Sequence, residues 1–247
     1  MQNRPMSTEH ISDFPNIKAV ILDYGMVLAR CPTRQEFGRM AEMFNVNFEM
    51  FYELWETGRN LYDRGDVTAE EYWLKLAAQT KTSLDRAQIE ILRRIEVEIW
   101  AHPDPNMLDW VSRLRTAGIK TGLLSNMPLD LAAYVRKHFQ WLEDFNFITL
   151  SAEVRLIKPD PAIYRHMLNG LGVLAKEALF VDDRDANTRA ARMLGILAIQ
   201  FSSIACLKSD LEALAFPTLP KVSSDLNTAG PEVISEKLPA KEIKFQL

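Results

Sequence analysis

The sequence has little cysteine and lacks any apolar run long enough to span a bilayer. Its 247 residues include two cysteines, Cys31 and Cys206, which do not have the spacing of a metal site. The N-terminal stretch MQNRPMSTEHISDF has no apolar core of the signal-peptide type. We therefore expect a cytoplasmic protein with two reduced thiols, because structural disulfides belong mainly to exported proteins.

The sequence also lacks a strong excess of either charge. Its formal net charge of −4 argues against non-specific binding to nucleic acid or to an anionic membrane. Hydrophobic residues make up 47% and charged residues 25%, which is typical of a soluble globular protein. The length suffices for one large domain, or for a domain with a smaller insertion.

Strand and helix patterns alternate over most of the chain. A run rich in Val, Ile and Leu leads into Asp23, as is typical of a parallel strand that is buried on both faces. The patterns predict strands over 18–23, 119–124, 145–150, 179–181 and 196–201, and helices over 106–116, 129–138, 160–171 and 187–194. Such alternation predicts an α/β fold, a Rossmann-like doubly wound parallel sheet with helices on both faces.

Residues 33–100 interrupt this alternation. Apolar and aromatic residues recur there at helical spacing. The stretches Thr68–Glu71 and Ser83–Asp85 are typical of helix N-termini, with a hydroxyl cap and carboxylates in the first turn. We expect an all-helical cap domain at 33–100, inserted into a core domain made of 17–32 and 101–215. Residues 1–16 form a lead-in without clear periodicity. Residues 216–247, rich in Pro, Ser and Lys, are expected to be a disordered or loosely docked tail.

Polar residues follow three of the predicted strands, at Asp23, at Ser125-Asn126 and at Asp182-Asp183. In parallel sheets the chemistry gathers at the carboxyl ends of the strands. Each feature alone has an ordinary explanation, since such an acid is often a helix cap and an acidic pair can form a surface turn. Together they offer a nucleophile, a hydroxyl and backbone N–H groups for an anion, and a carboxylate pair for a divalent cation.

Lys158 adds a positive charge to this set. A single lysine is usually a solvated surface charge. Here it stands in the sequence Leu156-Ile157-Lys158-Pro159, just before a predicted helix whose start is stiffened by proline. A lysine fixed in this way is suited to act as a point charge on phosphate.

With these residues the chain resembles the haloacid dehalogenase superfamily, in the branch (subfamily IA) whose helical cap follows the first motif. The resemblance extends from Ile17 to Phe201 and depends on four segments, Ile21–Val27, Leu123–Asn126, Lys158-Pro159 and Phe180–Asn187. Within the superfamily the chain is most similar to bacterial phosphatases acting on α-D-glucose 1-phosphate. Their first motif also reads Asp-x-Gly-x-Val, and their caps contain a stretch similar to Leu61–Thr68 followed by Trp73.

The resemblance implies a phosphatase in which Asp23 attacks phosphorus and forms an aspartyl-phosphate. It implies Mg2+ as the cofactor, bound by Asp23, the Gly25 carbonyl and Asp183, with Asp182 close by. The substrate would be a small phosphorylated metabolite, and the protein a monomer or homodimer.

The resemblance assigns further roles around this centre. Lys158 and Mg2+ would keep Asp23 ionised, and Ser125 and Asn126 would hold a phosphate oxygen. Gly25, as part of the same loop, would also border the substrate. Asn187 either orients the segment Phe180–Asn187 or is the N-cap of a helix, and we expect the N-cap role.

Gly25 departs from the family pattern, because the residue two places after the nucleophile is usually a second Asp that acts as general acid. Three alternatives follow. The protein is a phosphatase whose substrate needs less help, such as an anomeric phosphate that leaves as a hemiacetal. It is a 2-haloacid dehalogenase, although those relatives need no metal and place Tyr one position later than Tyr24. Or it is a catalytically impaired phosphate-binding or regulatory relative.

The cap adds candidates for substrate contact. Tyr62, Asp63 and Arg64 stand in a turn-like stretch before Gly65 and either face the site or have ordinary structural roles. The aromatic residues of the cap, Trp100 among them, are expected mainly in its core because of their helical spacing.

Overall fold

A computed structural model describes residues 16–214 and Lys221 of the chain. Almost all of the expected lead-in (1–16) and tail (216–247) therefore lies outside the described residues. Within the described part, a parallel sheet comprises β1 (Ala19–Leu22), β2 (Lys120–Ser125), β3 (Phe147–Leu150), β4 (Ala178–Asp182) and β5 (Leu197–Gln200). Its order is β3-β2-β1-β4-β5, and every neighbouring pair is parallel. The expected doubly wound α/β sheet is confirmed.

Helices fill the connections between these strands. Between β1 and β2 lie α1 (Arg34–Met43), α2 (Phe48–Thr57), α3 (Arg59–Asp63), α4 (Ala69–Thr80), α5 (Arg86–Trp100) and α6 (Pro105–Thr116). After β2 follow α7 (Leu129–His138), α8 (Ser151–Val154), α9 (Pro161–Leu171), α10 (Asp185–Met193) and α11 (Ile204–Ala213), with 3-10 turns at Gln140–Asp144 and Ala175–Glu177. The elements expected in the α/β part agree within two residues, and α11 was not expected. None of the described helices has both the length and the apolar character needed to cross a membrane.

The sheet is buried on both faces. In β1, Val20 and Leu22 belong to one hydrophobic cluster, whereas Ala19 and Ile21 belong to another. Successive side chains of a strand point to opposite faces, so the two clusters lie on opposite sides of the sheet. This explains why the strands are continuous hydrophobic runs rather than alternating ones.

Side chains form N-caps at the starts of α4 and α5, the two long helices of the cap domain. Thr68 accepts a hydrogen bond from the backbone N–H of Glu71, and the Glu71 carboxylate in turn accepts from the backbone N–H of Thr68. Asp85 and Gln88 form the same reciprocal arrangement at α5. Each box satisfies two N–H groups that the helix itself leaves unpaired. The start at Thr68 is as predicted, whereas the N-cap of α5 lies two residues after Ser83, with the Asp85 carboxylate instead of a hydroxyl as the cap.

Helices α1 to α5 enclose a hydrophobic cluster of their own. It is rich in aromatic side chains, including Phe37, Phe44, Phe51 and Trp73. Trp100, at the end of α5, packs against both this cluster and a cluster of the sheet. The separate cluster supports the proposed division into a cap (33–100) and a core domain (17–32 and 101–215).

Charged contacts hold the cap against the core domain. Arg93 of α5 makes a two-point contact with Asp130 of α7, with its Nε 2.6 Å from Oδ2 and its Nη2 2.7 Å from Oδ1. Arg184, just before α10, lies 2.7 Å from Glu56 of α2. These pairs are partly exposed, so each contributes only modestly to the stability of the contact between cap and core domain.

The turn after α3 docks tightly on α8. Gly65 has a φ of 76°, and a Cβ there would lie 3.0 Å from the Ala152 carbonyl oxygen. The Ser151 hydroxyl donates to the Asp63 carbonyl of the same turn. Both the backbone conformation and the space favour glycine at position 65.

Gly65→Ala is expected to destabilise the protein more than Gly118→Ala does. Gly118 has a similar φ of 78° but open space around its α-carbon, so its replacement costs only the left-handed backbone, about 1 kcal/mol. At Gly65 the clash with Ala152 adds at least about 1 kcal/mol. Urea unfolding of the two variants measures the difference. Equal losses of unfolding free energy would contradict tight docking of the cap turn.

Candidate active site

The ends of three neighbouring strands bring the candidate residues together. The register pairs Leu22 of β1 with Leu123 of β2 and Val181 of β4, so the residues that follow lie side by side. Asp23 comes directly after β1, and its N–H donates to the Val181 carbonyl at 3.0 Å. Ser125 ends β2 and Asp182 ends β4, and both are buried. The convergence expected from the strand ends is present.

Three carboxylates form the centre of the site. Asp23, Asp182 and Asp183 each contribute an oxygen, and these oxygens all lie within 4.8 Å of one another. Asp182 is fully buried, Asp23 is nearly so, and Asp183 is half-buried. Carboxylates held this close repel one another unless a positive charge lies among them.

Lys158 supplies one positive charge. Its ammonium nitrogen lies 2.9 Å from Asp23 Oδ1 and 2.6 Å from Asp182 Oδ2, and it donates to the Leu124 carbonyl at 3.0 Å. The side chain is buried, which disfavours its charged form. The charges of Asp182 and Asp23 outweigh that cost, and the pKa of Lys158 lies above its usual value. Lys158 therefore bridges two of the three carboxylates as an ammonium ion.

Asn126 positions Lys158. Its side-chain amide donates to the Lys158 carbonyl at 2.9 Å and accepts from the Lys158 N–H at 2.9 Å. The sequence assigned Asn126 to the substrate phosphate, but this two-way bond engages its side chain with the protein. The bond uses one of the two side-chain N–H groups of Asn126, so its assignment to phosphate stays a prediction. Ser125 stands at the strand end as expected.

Asp182 is anchored on all sides by protein donors. Oδ1 accepts from the Arg184 N–H at 2.8 Å, and Asn187 Nδ2 lies 2.9 and 3.1 Å from the two oxygens. With Lys158 on Oδ2, its oxygens are already well supplied. The expectation that Asn187 caps a helix is wrong, because it lies inside α10, whose N-cap is Arg184. Asn187 instead orients Asp182, so Asp23 and Asp183 remain the freer carboxylates.

Burial raises the pKa values of these two carboxylates. The pKa of Asp23 is raised to about 7, an effect that Lys158 opposes and that Asp182 and Asp183 reinforce. Burial, followed by the charge of Asp182, raises the pKa of Asp183 to about 6. The expected ionisation of Asp23 at neutral pH is therefore not secured by Lys158 alone. A set of three close oxygen donors with one bridging ammonium fits a hard divalent cation, which would favour the ionised carboxylates.

Tyr24 connects the nucleophile loop to the end of the cap. Its N–H donates to Asp23 Oδ1 at 2.7 Å, and its hydroxyl donates to the Trp100 carbonyl at 2.6 Å. The ring is buried and stacks on Trp141, with centroids 6.2 Å apart. These contacts hold the loop that contains Gly25, whose carbonyl was expected to face the metal.

The cap residues singled out in the sequence have mainly structural roles. Asp63 pairs with Arg59 at 2.9 Å, and the Tyr62 hydroxyl donates to Glu96 at 3.2 Å. Arg59 also pairs with Glu96, so these four buried side chains form an ionic cluster inside the cap. Arg64 pairs with Asp66 on the surface. The cluster stabilises the cap turn that rests on α8.

The charge of Asp183 also affects residues at the junction with the cap, which the sequence did not place near this carboxylate. Burial raises the pKa of the Cys31 thiol, and the charge of Asp183 raises it further. Burial also raises the pKa of the Tyr52 phenol, with Glu56 and Asp183 adding to the effect. The ion pair of Glu56 with Arg184, the residue after Asp183, places the cap helix α2 next to this part of the site.

Comparisons with known proteins show what the chain is similar to. The family model of the haloacid dehalogenase-like hydrolases matches residues 6–195. The chain is 26% identical to a sesquiterpene phosphatase of Aspergillus oryzae over 163 residues, which are 66% of this chain and 79% of that protein. It is 30% identical to a phosphatase of Mycobacterium tuberculosis over 189 residues, which are 74% of this chain and 86% of the relative.

A solved structure shares the fold. It is a HAD-family enzyme of Bacteroides thetaiotaomicron, crystallised in complex with magnesium and inorganic phosphate. The TM-score is 0.57 at 23% identity, over 77% of this chain and 98% of that one. Several other curated relatives are much longer proteins, of which the chain spans 11–23%.

Proposed function

Because this chain belongs to the haloacid dehalogenase-like hydrolases, we propose that it is a Mg2+-dependent phosphatase of small phosphorylated metabolites, with sugar phosphates favoured. The observation that carries the proposal is the centre formed by Asp23, Asp182 and Asp183 with Lys158 between them. We assign the chain to subfamily IA, since helices α1 to α5 follow the first motif. A cytoplasmic location and a monomeric or homodimeric state stay predictions.

Two half-reactions account for hydrolysis. An oxygen of the Asp23 carboxylate attacks phosphorus, the ester P–O bond breaks, and the departing oxygen takes up a proton. Water then attacks phosphorus of the aspartyl-phosphate, which releases inorganic phosphate and regenerates Asp23. When bound, Mg2+ would neutralise charge on the phosphoryl oxygens and on the carboxylates.

The remaining residues position and stabilise the phosphoryl group. Asp23, Asp183 and the Gly25 carbonyl would hold the cation, with Asp182 behind them. Lys158 offsets negative charge in the transition state, and it does so from a fixed position because Asp182 and Asn126 hold it. Ser125, together with backbone N–H groups of its loop, would bind a phosphoryl oxygen.

The leaving group sets the preferred substrate. Gly25 cannot donate a proton, and general acid catalysis typically contributes about 10²–10⁴-fold. An anomeric phosphate leaves as a hemiacetal oxygen, which is more stable as an anion than an ordinary alkoxide. The similarity of the first motif to phosphatases acting on α-D-glucose 1-phosphate supports the same choice.

A matched pair of glucose phosphates tests this proposal. With Mg2+ we expect phosphate release from α-D-glucose 1-phosphate to be at least about tenfold faster than from glucose 6-phosphate, equivalent to about 1.4 kcal/mol in the barrier. Chelation of Mg2+ should abolish both rates. Metal-independent halide release from a 2-haloacid would instead indicate a dehalogenase. Binding of inorganic phosphate without hydrolysis of any sugar phosphate, phosphoglycolate or nucleotide would indicate a regulatory relative.

A further inference from the structure

The ring of Trp100 covers the α-carbon of Gly25. A Cβ built on Gly25 would lie 3.3 Å from Trp100 Cζ3, 3.6 Å from Cη2 and 3.8 Å from Cε3. These three atoms belong to the six-membered ring of the indole, and the shortest distance is below the usual optimum for two carbon atoms, about 3.5–4.0 Å. Any side chain at position 25 would therefore leave the backbone toward this ring.

Backbone conformation does not explain the glycine at position 25. Gly25 is not among the glycines with positive φ, whereas the next residue, Met26, has a φ of 63°. A left-handed backbone is where glycine removes steric strain. The chain thus has its glycine one residue before the position where strain would favour it. The space taken by Trp100 is the better explanation for Gly25.

Trp100 is fixed from both sides of the cap junction. The hydroxyl of Tyr24, the residue before Gly25, donates to the Trp100 carbonyl at 2.6 Å. The Trp100 side chain packs against the hydrophobic cluster of the cap and against a cluster of the sheet. The hydrogen bond therefore fixes the backbone of Trp100 against the nucleophile loop, and the ring cannot withdraw without loss of its packing contacts.

We propose that Trp100 is a specificity-determining residue that takes the place of a side chain at position 25 and forms an apolar wall against the leaving group. This inference rests on the proposed phosphatase function. The wall offers no group that readily gives up a proton, because the indole N–H is a hydrogen-bond donor but not an acid at neutral pH. It therefore selects esters whose leaving oxygen is stable with little protonation and whose leaving group has an apolar face, such as the face of a sugar ring at an anomeric phosphate.

Introducing an acid at position 25 tests the role of Trp100, because the effect on kcat/KM should depend on the leaving group of the ester. Gly25→Asp alone should lower kcat/KM for both 4-nitrophenyl phosphate and phenyl phosphate, because the carboxyl group collides with the ring. The double variant Gly25→Asp/Trp100→Leu relieves the collision for both esters. Hydrolysis of 4-nitrophenyl phosphate, whose leaving group needs no acid, should return only to about the wild-type rate, whereas hydrolysis of phenyl phosphate should exceed its wild-type rate roughly 10²-fold. A gain on phenyl phosphate from Gly25→Asp alone, or no gain in the double variant, would overturn the proposal.

A double-mutant cycle of thermal stability tests the contact between position 25 and Trp100 independently of catalysis. Gly25→Ala should lower Tm by roughly 2–4 °C when Trp100 is present and leave Tm unchanged in the Trp100→Leu background. Gly38→Ala, inside α1, is a control for an added methyl group without a clash, since a Cβ at Gly38 meets nothing within 4 Å, and it should not lower Tm in either background. Equal shifts in both backgrounds contradict the contact with Trp100. If the wild-type protein releases no phosphate from any ester, the proposed function fails, and the specificity role fails with it, whether or not the coupling is present.

Discussion

Asp23→Asn is expected to abolish Mg2+-dependent phosphate release while the protein stays folded. An amide is a poor nucleophile toward phosphorus and cannot form the acyl phosphate, so both half-reactions are lost. We expect turnover to fall at least about 10³-fold, the scale on which loss of a nucleophile acts. Phosphate release from the favoured sugar phosphate, measured with and without Mg2+, checks this result. Turnover equal to that of the wild type would contradict the assignment of Asp23.

Stability distinguishes loss of the nucleophile from loss of the fold. Asp23→Asn removes one of three neighbouring carboxylates, while Lys158 keeps its contact with Asp182. Without Mg2+ the variant should therefore unfold at a temperature at least as high as the wild type does. Addition of Mg2+ should raise Tm less in the variant, because one ligand is missing. Asp210→Asn, on the exposed face of α11, is the control and should change neither turnover nor the response to Mg2+.

The sheet and most helices could be predicted because their signals are local. A hydrophobic run that ends in a turn defines each strand, and α7 has the bounds predicted from periodicity, 129–138. Helix α11 was missed because it buries little, with Leu207 as its buried residue. Its apolar positions Ile204, Leu207 and Leu211 do recur at helical spacing and pack against a cluster of the sheet, but three positions are a weak signal beside the stripes of the longer helices.

The sequence predicted which residues form the site, but it did not predict the individual role of each residue. Strand ends in a parallel sheet meet at one edge, so Asp23, Ser125 and Asp182 had to lie together. The role of Asn187 was wrong because asparagine has a strong preference for helix caps, and the competing contact with Asp182 exists only in the folded chain. The bond of Asn126 to Lys158 was not predicted either, since it joins segments that are distant in sequence.

Trp100 illustrates a further limit of sequence reasoning. Its helical spacing predicted a position in the cap core, and it does pack there. Its second contact, over Gly25, depends on how the cap meets the nucleophile loop. No local pattern encodes such a contact between two domains. The missing acid at position 25 thus has a steric partner that the sequence did not reveal.

Lys158→Met is expected to cause the largest loss of stability among the variants considered. Methionine is of similar length but has no charge, so Asp23 and Asp182 would remain buried without their shared cation. Removal of one partner from a buried ionic group typically costs about 3–5 kcal/mol. Urea unfolding without Mg2+ measures this loss, and phosphate release should also fall because transition-state charge is no longer offset.

Two further variants separate the charge effect from a packing effect. Lys158→Met/Asp182→Asn should recover part of the lost unfolding free energy, because it removes one of the two unpaired carboxylates, but it should not recover turnover. Lys18→Met removes an exposed partner of Glu177, a pair worth about 0–1 kcal/mol, and should change little. If the double variant is no more stable than Lys158→Met, the loss comes from packing. Lys158 would then stabilise the site by its volume, and its charge would matter only in the transition state.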